Sequence, residues 1–324
     1  MRLLKGLTAL AVIGTLGWGG YWFAGSRALD TAVGQALTRL PQLTADQHSI
    51  AGFPNRFDVT LTNPRFTDGT IDWQAPFLQI FALTYRLNHV IAVFPQDQQV
   101  TIAGQSITVH ADDLRASVVV SANTDLPLDR IALVGQAVDL STQETNAQLE
   151  TLRLGTRRIA PRVHEIGLAV EGVIPDPRLM EQLDPRGVWP RALRAVEANV
   201  EATLSRELDR HLADGIEPRL QEAVLTHARV AWDNGDLGID GRIALSPNGL
   251  LNGEAVLTVT GWHALLDRLQ RAGTLQAENR VGIESVLRGM ISANDPDRIE
   301  APFVVVDGEV RIGPLLLARI PALR

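Results

Sequence analysis

The sequence of 324 residues contains no cysteine and a single lysine, Lys5. The absence of cysteine excludes disulfides, thiol catalysis and cysteine-ligated zinc. Because Lys5 lies at the extreme N-terminus, the remaining chain lacks the lysine that Schiff-base chemistry or a phosphate-binding P-loop requires. Stability must therefore come from a hydrophobic core, which a chain of this length is large enough to form.

Acidic residues outnumber basic residues, 37 to 30, so the formal net charge is −7. Binding to phosphate backbones requires a basic surface, so we expect no nucleic-acid partner. The same balance gives no reason to expect adhesion to anionic lipid through charge alone. Hydrophobic residues make up 45% and charged residues 21% of the chain, which are ordinary values for a folded domain.

One long uncharged run is present, from Gly6 to Ser26, and it follows Arg2 and Lys5. As a helix, residues 7–23 would span about 25 Å, close to the hydrocarbon thickness of a bilayer. The two preceding cations favour a cytoplasmic N-terminus. We therefore predict a transmembrane anchor over residues 1–26, with lipid contacts from apolar and aromatic residues. These are Leu7, Leu10, Val12, Ile13, Leu16, Trp18, Tyr21, Trp22 and Phe23.

A cleaved signal peptide is the alternative for this segment, since the small residues Ala24, Ser26 and Ala28 suit a cleavage site. The apolar run is longer than a typical signal-peptide core, and bulky aromatic residues precede the candidate site, which favours a retained anchor. Both interpretations place the rest of the chain outside the cytoplasm.

A helical stalk is predicted over residues 27–41, as a continuation or a restart of the anchor helix. Leu29, Val33, Leu37 and Leu40 recur at helical spacing, and Pro41 provides the stop.

Strand patterns dominate the remainder of the chain. Phe57, Val59 and Leu61 alternate with polar residues, which predicts a half-buried strand, and similar runs recur along residues 42–175. Asn-Gly and Asp-Gly turns punctuate the second β-rich half, residues 223–324. That half also contains two helical patterns, Trp262–Ala272 and Leu275–Ile291.

A central helical segment is predicted over residues 176–222. Pro190 begins an apolar stripe with spacings of three and four residues, which is typical of an amphipathic helix of about 23 residues. The stripe consists of Leu193, Val196, Val200, Leu204, Leu208 and Leu212. We therefore predict an α+β fold, in which this helix packs on a long, curved and mostly antiparallel sheet.

Signatures of catalysis or metal binding are not found in the sequence. The seven histidines lack metal-binding spacing, and no G-x-S-x-G motif is present. The acidic residues around Asn234-Gly235 resemble a calcium loop in composition but lack the EF-hand register, and Asn-Gly turns account for them better. We expect a non-enzymatic protein without a cofactor.

Several segments carry a resemblance to a known family. They are residues 52–58, 73–76, 85–91, 258–262, 307–308 and 313–314, which include Gly52-Phe53-Pro54-Asn55 and Trp73-Gln74-Ala75-Pro76. Together they resemble an uncharacterised family of bacterial envelope proteins, domain of unknown function 2125. The resemblance covers nearly the whole exported part and implies a single-pass anchor in the bacterial inner membrane with a periplasmic domain. The layout also has a looser likeness to AsmA-like envelope proteins, which are associated with lipid transport.

Two functions are compatible with these patterns. In the first, an apolar groove containing Phe77, Phe81, Tyr85 and Phe94 binds lipid or another apolar molecule. In the second, the protein is an envelope scaffold that docks a protein partner through exposed loops. The candidate docking residues are Phe53, Pro54, Arg56 and Trp189.

Overall fold

The computed structural model describes residues 2–214, 218–246, 248–313 and 315–322. The α-helices are α1 (Arg2–Arg39), α2 (Pro177–Leu183), α3 (Trp262–Arg271) and α4 (Ala277–Arg288), and a short 3-10 helix covers Arg210–Asp214.

The strands form one 20-stranded sheet. The first ten are β1 (Leu43–Thr44), β2 (Gln47–Ala51), β3 (Arg56–Thr62), β4 (Arg65–Thr67), β5 (Ile71–Gln74), β6 (Phe77–Leu83), β7 (Arg86–Val93), β8 (Asp97–Ile102), β9 (Gln105–Val120) and β10 (Leu128–Ser141). The next five are β11 (Asn146–Ala160), β12 (Val163–Val173), β13 (Leu193–Leu204), β14 (Leu220–Trp232) and β15 (Gly235–Leu245). The last five are β16 (Leu251–Thr260), β17 (Ile291–Ser292), β18 (Asp295–Val306), β19 (Glu309–Ile312) and β20 (Leu315–Arg319).

Helix α1 is continuous for 38 residues, so the predicted anchor and stalk form a single helix. No proline interrupts it, and it ends two residues before Pro41, whose ring cannot continue a helix. Within the part of the chain that the structure describes, no helix is both long enough and apolar enough to cross a membrane.

Every pairing between the described strands is antiparallel, which confirms the prediction of a mostly antiparallel sheet. From β9 onward the long strands pair mainly with their neighbours in sequence, through β16 to β18, β19 and β20. On its other side β9 carries two branches. One half pairs with β7, followed by β6, β3 and β2; the other half pairs with β8, followed by β5, β4 and β1.

The predicted central helix is wrong, because residues 193–204 form strand β13. The apolar residues Val196, Val200 and Leu204 recur every four positions, which satisfies a helix and also every second step of a strand. Ala198 and Ala202 decide between the two structures, since they complete a strict alternation of apolar and polar residues. Among the described residues of 176–222, helical structure is confined to α2 and the short 3-10 helix.

The two predicted helices near the C-terminus are confirmed as α3 and α4. Gly261 precedes α3 with φ of 73°, and a Cβ there would lie 2.5 Å from the backbone oxygen of Asn234. Trp262, the first residue of α3, is buried and donates from Nε1 to the oxygen of Pro296 at 3.3 Å. These contacts place α3 against the sheet beside β18.

Candidate functional site on the apolar face of the sheet

A row of directly opposed side chains crosses the sheet perpendicular to the strands. Opposed residues in antiparallel strands lie on the same face. The first apolar row consists of Phe57, Ala82, Val90, Val118, Ile131, Thr156, Ile166, Val200, Leu225, Ile243, Gly253, Val305 and Val310. It is interrupted by one hydroxyl residue, Thr156, and one glycine, Gly253.

A second row lies beside the first on the same face. The second apolar row consists of Val59, Ile80, Ala92, Ala116, Leu133, Leu154, Leu168, Ala198, Ala228, Ile239, Leu257 and Ala301. Every member is aliphatic. We call the surface formed by these two rows the apolar face.

Helices cover the apolar face at its two ends. At one end Trp22 of α1 stacks on Phe57 with a centroid separation of 6.0 Å, and Phe57, Val59 and Leu61 are buried. At the other end α3 and the loop before α4 pack on β16 and β18. That cluster contains Val259, Trp262, Leu266, Leu275, Ile299 and Ala301.

The middle of the apolar face remains open. Ile131, Leu154 and Ile166 retain 36%, 43% and 39% of their accessible surface. They line a cavity of about 400 Å³ whose exposed lining is almost wholly apolar. A second apolar cavity of about 490 Å³ lies over β14–β19, with Phe303 in its lining.

The two cavities meet at strand β13. Val200 lines the larger cavity, whereas Ala202 and Leu204 line the smaller one. These three residues alternate along one strand and therefore share one face. The cavities are neighbouring parts of one apolar groove.

A chain segment closes one edge of the smaller cavity. The amide of Leu128 donates to the oxygen of Leu208 at 2.6 Å, and the amide of Arg210 donates to the oxygen of Asp125 at 3.1 Å. These bonds join the start of β10 to the segment after β13, although β11 and β12 separate those strands in the sheet. The sheet therefore curves at this point, and Leu208 faces the cavity.

A few polar groups border the same cavity. His164 is buried, and its Nδ1 lies 3.3 Å from Oγ1 of Thr156. Arg158 donates to Oγ of Ser121 at 2.7 Å and lies 3.7 Å from a carboxylate oxygen of Glu207. Burial, and secondarily the charge of Arg158, lowers the pKa of His164. His164 is therefore neutral at physiological pH, which suits an apolar surrounding.

The opposite face of the same strands is charged. Arg242 donates to both carboxylate oxygens of Glu201, at 3.1 and 2.9 Å, and this hydrogen bonding lowers the pKa of Glu201. Arg229 pairs with Asp236 at 3.0 Å on that face. The two faces of the sheet thus differ sharply, and the apolar one is the candidate site.

The four residues predicted to line a groove lie elsewhere. Phe77 and Phe81 pair with Thr62 and Asp58, which places them on the polar face. Tyr85 is exposed in the turn between β6 and β7. The ring of Phe94 packs edge-on against Trp73 at 5.9 Å. The structure does not bring the four together, and neither apolar cavity is lined by any of them.

The predicted partner residues contact this chain's own helices. Trp18 donates from Nε1 to the oxygen of Pro54 at 2.9 Å, and Trp22 donates to the oxygen of Arg56 at 2.8 Å. Phe53 meets Trp22 edge-on at 5.3 Å.

Trp189 lies in a different place, in the loop before β13. That loop is held to α3, since Arg268 donates to the oxygen of Val188 at 3.3 Å. The two candidate docking segments therefore contact different helices, and neither is wholly free.

The predicted anchor residues divide into two groups along α1. Leu7, Leu10, Val12, Ile13 and Leu16 are exposed aliphatic side chains. Trp18, Tyr21 and Trp22 donate hydrogen bonds to backbone oxygens at the end of the sheet.

Another concave region lies where the strands of the two branches meet. This polar cavity of about 600 Å³ is bordered by Asp46, Asn63, Arg65 and Gln98. Within the described ranges, no group of three or more His, Cys, Asp or Glu side chains is arranged to hold a metal ion.

Comparison with known proteins places the chain in a family. It matches none of the curated proteins and none of the solved structures with which it was compared. The looser likeness to AsmA-like proteins therefore stays an expectation. The family model of uncharacterized proteins conserved in bacteria, DUF2125, matches residues 22–321, which cover the C-terminal half of α1 and nearly all of the sheet. The chain belongs to the DUF2125 family of bacterial proteins.

Proposed function

We propose that this protein is a non-enzymatic binder of lipid, or of another apolar molecule, that acts in the bacterial envelope. The ligand occupies the open middle of the apolar face, and α1 holds the protein at the inner membrane with the sheet in the periplasm. Such a protein would store lipid or help to move it.

The open middle of the apolar face carries the proposal. Apolar surface costs about 25 cal/mol per Å² when it stays in contact with water. Ile131, Leu154 and Ile166 keep over a third of their surface exposed, and they line a cavity with almost no polar lining. Contiguous exposed apolar surface of this kind marks a binding site for an apolar partner.

The chemistry of the site favours an acyl chain over a polar ligand. The walls are branched aliphatic side chains, which offer dispersion contacts and few directional hydrogen bonds. His164 and Thr156 belong to the lining of the cavity, and there they would meet a polar head group. We therefore expect an amphipathic ligand whose tail lies along the rows.

Two observations support the membrane address. The aliphatic residues of the first half of α1, such as Leu10 and Leu16, are exposed to solvent, although burial of each would be favourable by about 1.5–3 kcal/mol. Arg2 and Lys5 precede them, which fits a cytoplasmic N-terminus.

The test is native mass spectrometry of the full chain, released from detergent micelles, combined with lipid extraction. We expect co-purified lipid at a fixed stoichiometry that survives exchange into a second detergent. A clean protein mass, unchanged after incubation with phosphatidylethanolamine and phosphatidylglycerol, would contradict lipid binding. That result would shift the proposal to the envelope scaffold that docks a protein partner.

A further inference from the structure

Two turns of the sheet and one segment of α1 meet at a single place. The turns are residues 52–55, between β2 and β3, and residues 84–85, between β6 and β7. The helical segment is Trp18–Phe23. We call this assembly the tip.

Hydrogen bonds hold the tip together. Tyr21 donates from its hydroxyl to the oxygen of Thr84 at 2.9 Å. Thr84 donates from Oγ1 to the oxygen of Asn55 at 3.0 Å, so the two turns are also bound to each other. Together with the bonds from the two indoles of α1, these contacts give a donor to the backbone oxygens of Pro54, Asn55, Arg56 and Thr84. Helix α1 is therefore hydrogen-bonded to both turns of the sheet at this place.

Large apolar and aromatic side chains of the tip remain exposed. Tyr85 keeps 71% and Phe53 keeps 61% of its surface. Leu87 and Phe23 are also exposed. These side chains stay exposed although Phe53 touches Trp22 and Arg27 lies over Phe23, and along α1 the exposed aliphatic residues precede them.

The direction of α1 follows from two close contacts. A Cβ at Gly25 would lie 2.8 Å from Cζ of Phe57, and a Cβ at Gly34 would lie 3.7 Å from His48, which is opposite Leu61. Nine residues of helix advance about 13.5 Å, and four residues of strand advance about 13 Å. The helix therefore runs alongside β3, and its N-terminal half projects beyond the tip in the direction of the strands.

Arginine side chains lie at the tip and beside it, and one of them, Arg56, is also paired with Asp58. The guanidinium of Arg27 lies 4.3 Å from the ring centre of Phe23, and that of Arg56 lies 5.2 Å from the ring centre of Phe81. Arg86 is exposed beside Tyr85. Aromatic rings combined with arginines suit the head-group layer of a phospholipid bilayer, where rings reach the acyl boundary and cations meet phosphate.

We propose that the tip is seated in the head-group layer of the bilayer that α1 enters. This inference rests on the proposed membrane anchoring by α1. Strands β3, β6 and β7 then rise from the bilayer surface. The apolar rows, which cross the strands at right angles, run parallel to that surface. Ala82, in the first row, lies three residues from Tyr85, which is about 10 Å of strand. The first row thus starts just beyond the head groups.

The absence of native cysteine makes a site-specific test direct. Four variants of the full chain, Tyr85→Cys, Phe53→Cys, Ile13→Cys and Gln143→Cys, are labelled with an environment-sensitive fluorophore. Each is reconstituted into vesicles of phosphatidylethanolamine and phosphatidylglycerol that contain head-group or acyl-chain nitroxide lipids. Gln143 is the matched control, because it lies in an exposed turn at the opposite ends of the strands.

We expect head-group nitroxide to quench positions 53 and 85 roughly threefold more than position 143, since the head-group layer is only about 5 Å deep. Acyl-chain nitroxide should quench position 13. If positions 53 and 85 match position 143 while position 13 is quenched, the seating of the tip is wrong and the anchoring stands. If position 13 is also unquenched, the anchoring itself fails, and this inference fails with it.

Discussion

The strands of the apolar face share one pattern of alternating apolar and polar residues, but helices cover only part of that face. On β3, Phe57, Val59 and Leu61 are buried because α1 lies over them. In the middle of the same rows, Ile131 and Leu154 are as apolar but stay exposed. The pattern of a strand therefore decides which face its side chains occupy, whereas burial depends on whether another element packs there.

The covered ends and the open middle should differ in what they contribute. Residues under α1 and α3 contribute to folding stability, since they have exchanged water for protein contacts. Residues in the open middle gain the same contacts only when a ligand arrives. Substitutions at the covered ends, in the open middle and on the polar face test that division.

Truncation at a covered end should have the largest effect on stability. Trp262→Ala should lower the free energy of unfolding by about 3–5 kcal/mol, because Trp262 is 2% exposed and loses its packing and its bond to Pro296. Leu154→Ala in the open middle should cost less than about 1 kcal/mol. Urea unfolding followed by circular dichroism measures both. Equal costs would mean that the middle is covered in solution.

Polar substitution in the open middle should weaken lipid retention. Leu154→Gln and Ile166→Gln should each lower bound lipid about tenfold, since a buried aliphatic side chain contributes about 1.5–3 kcal/mol. Val134→Gln is the matched control, because Val134 is equally exposed but pairs with Arg115 and Arg153 on the polar face. Lipid extraction followed by mass spectrometry gives the ratio. An equal loss in the control would remove the apolar face as the site.

The neutral His164 predicts a pH dependence of stability. Its pKa in the folded protein is lowered by burial, so the unfolded chain binds protons more readily. The free energy of unfolding should therefore fall as the pH drops through about 6.5 toward the folded pKa. His164→Asn should reduce the difference between unfolding at about pH 7.5 and about pH 5.5. An unchanged difference would show that groups other than His164 control it.

Ion pairs on the polar face should contribute least to the free energy of unfolding. Glu201→Gln removes one partner of the pair with Arg242, which is largely exposed. An exposed ion pair contributes about 0.2–1 kcal/mol, so the loss in unfolding free energy should stay within that range and shrink in high salt. Urea unfolding at low and high salt measures it. A loss as large as that of Trp262→Ala would overturn the contrast between the two faces.

Strand patterns, turns and two of the helices could be predicted from the sequence. The alternation at Phe57–Leu61 predicted β3, and the helical spacing after Trp262 predicted α3. The interpretation of residues 193–204 as a helix was wrong. Their large apolar residues recur at every fourth position, and this spacing fits a helix as well as one face of a strand. Alanines at positions 198 and 202 carried the decisive signal, although their small side chains contribute little to an apolar stripe.

The candidate site was harder to predict, because it is assembled across strands. Each strand shows which of its residues share a face, but the register that joins Ile131 to Thr156 and Ile166 to Val200 is set by non-local pairing. Phe77 and Phe81 are large aromatic residues, and only their pairing with Thr62 and Asp58 shows that they lie on the polar face. The sequence analysis predicted a groove lined by aromatic residues, whereas the groove in the structure is lined by rows of aliphatic residues.

The central claim is that lipid lies on the open middle of the apolar face. The most direct measurement is photo-crosslinking of the full chain, in vesicles that contain a phospholipid with a diazirine in its acyl chain, followed by peptide mapping. We expect adducts on β10–β13, at residues such as Ile131, Leu154 and Ile166, as well as on α1. Adducts confined to α1, with none on these strands, would contradict lipid binding by the sheet.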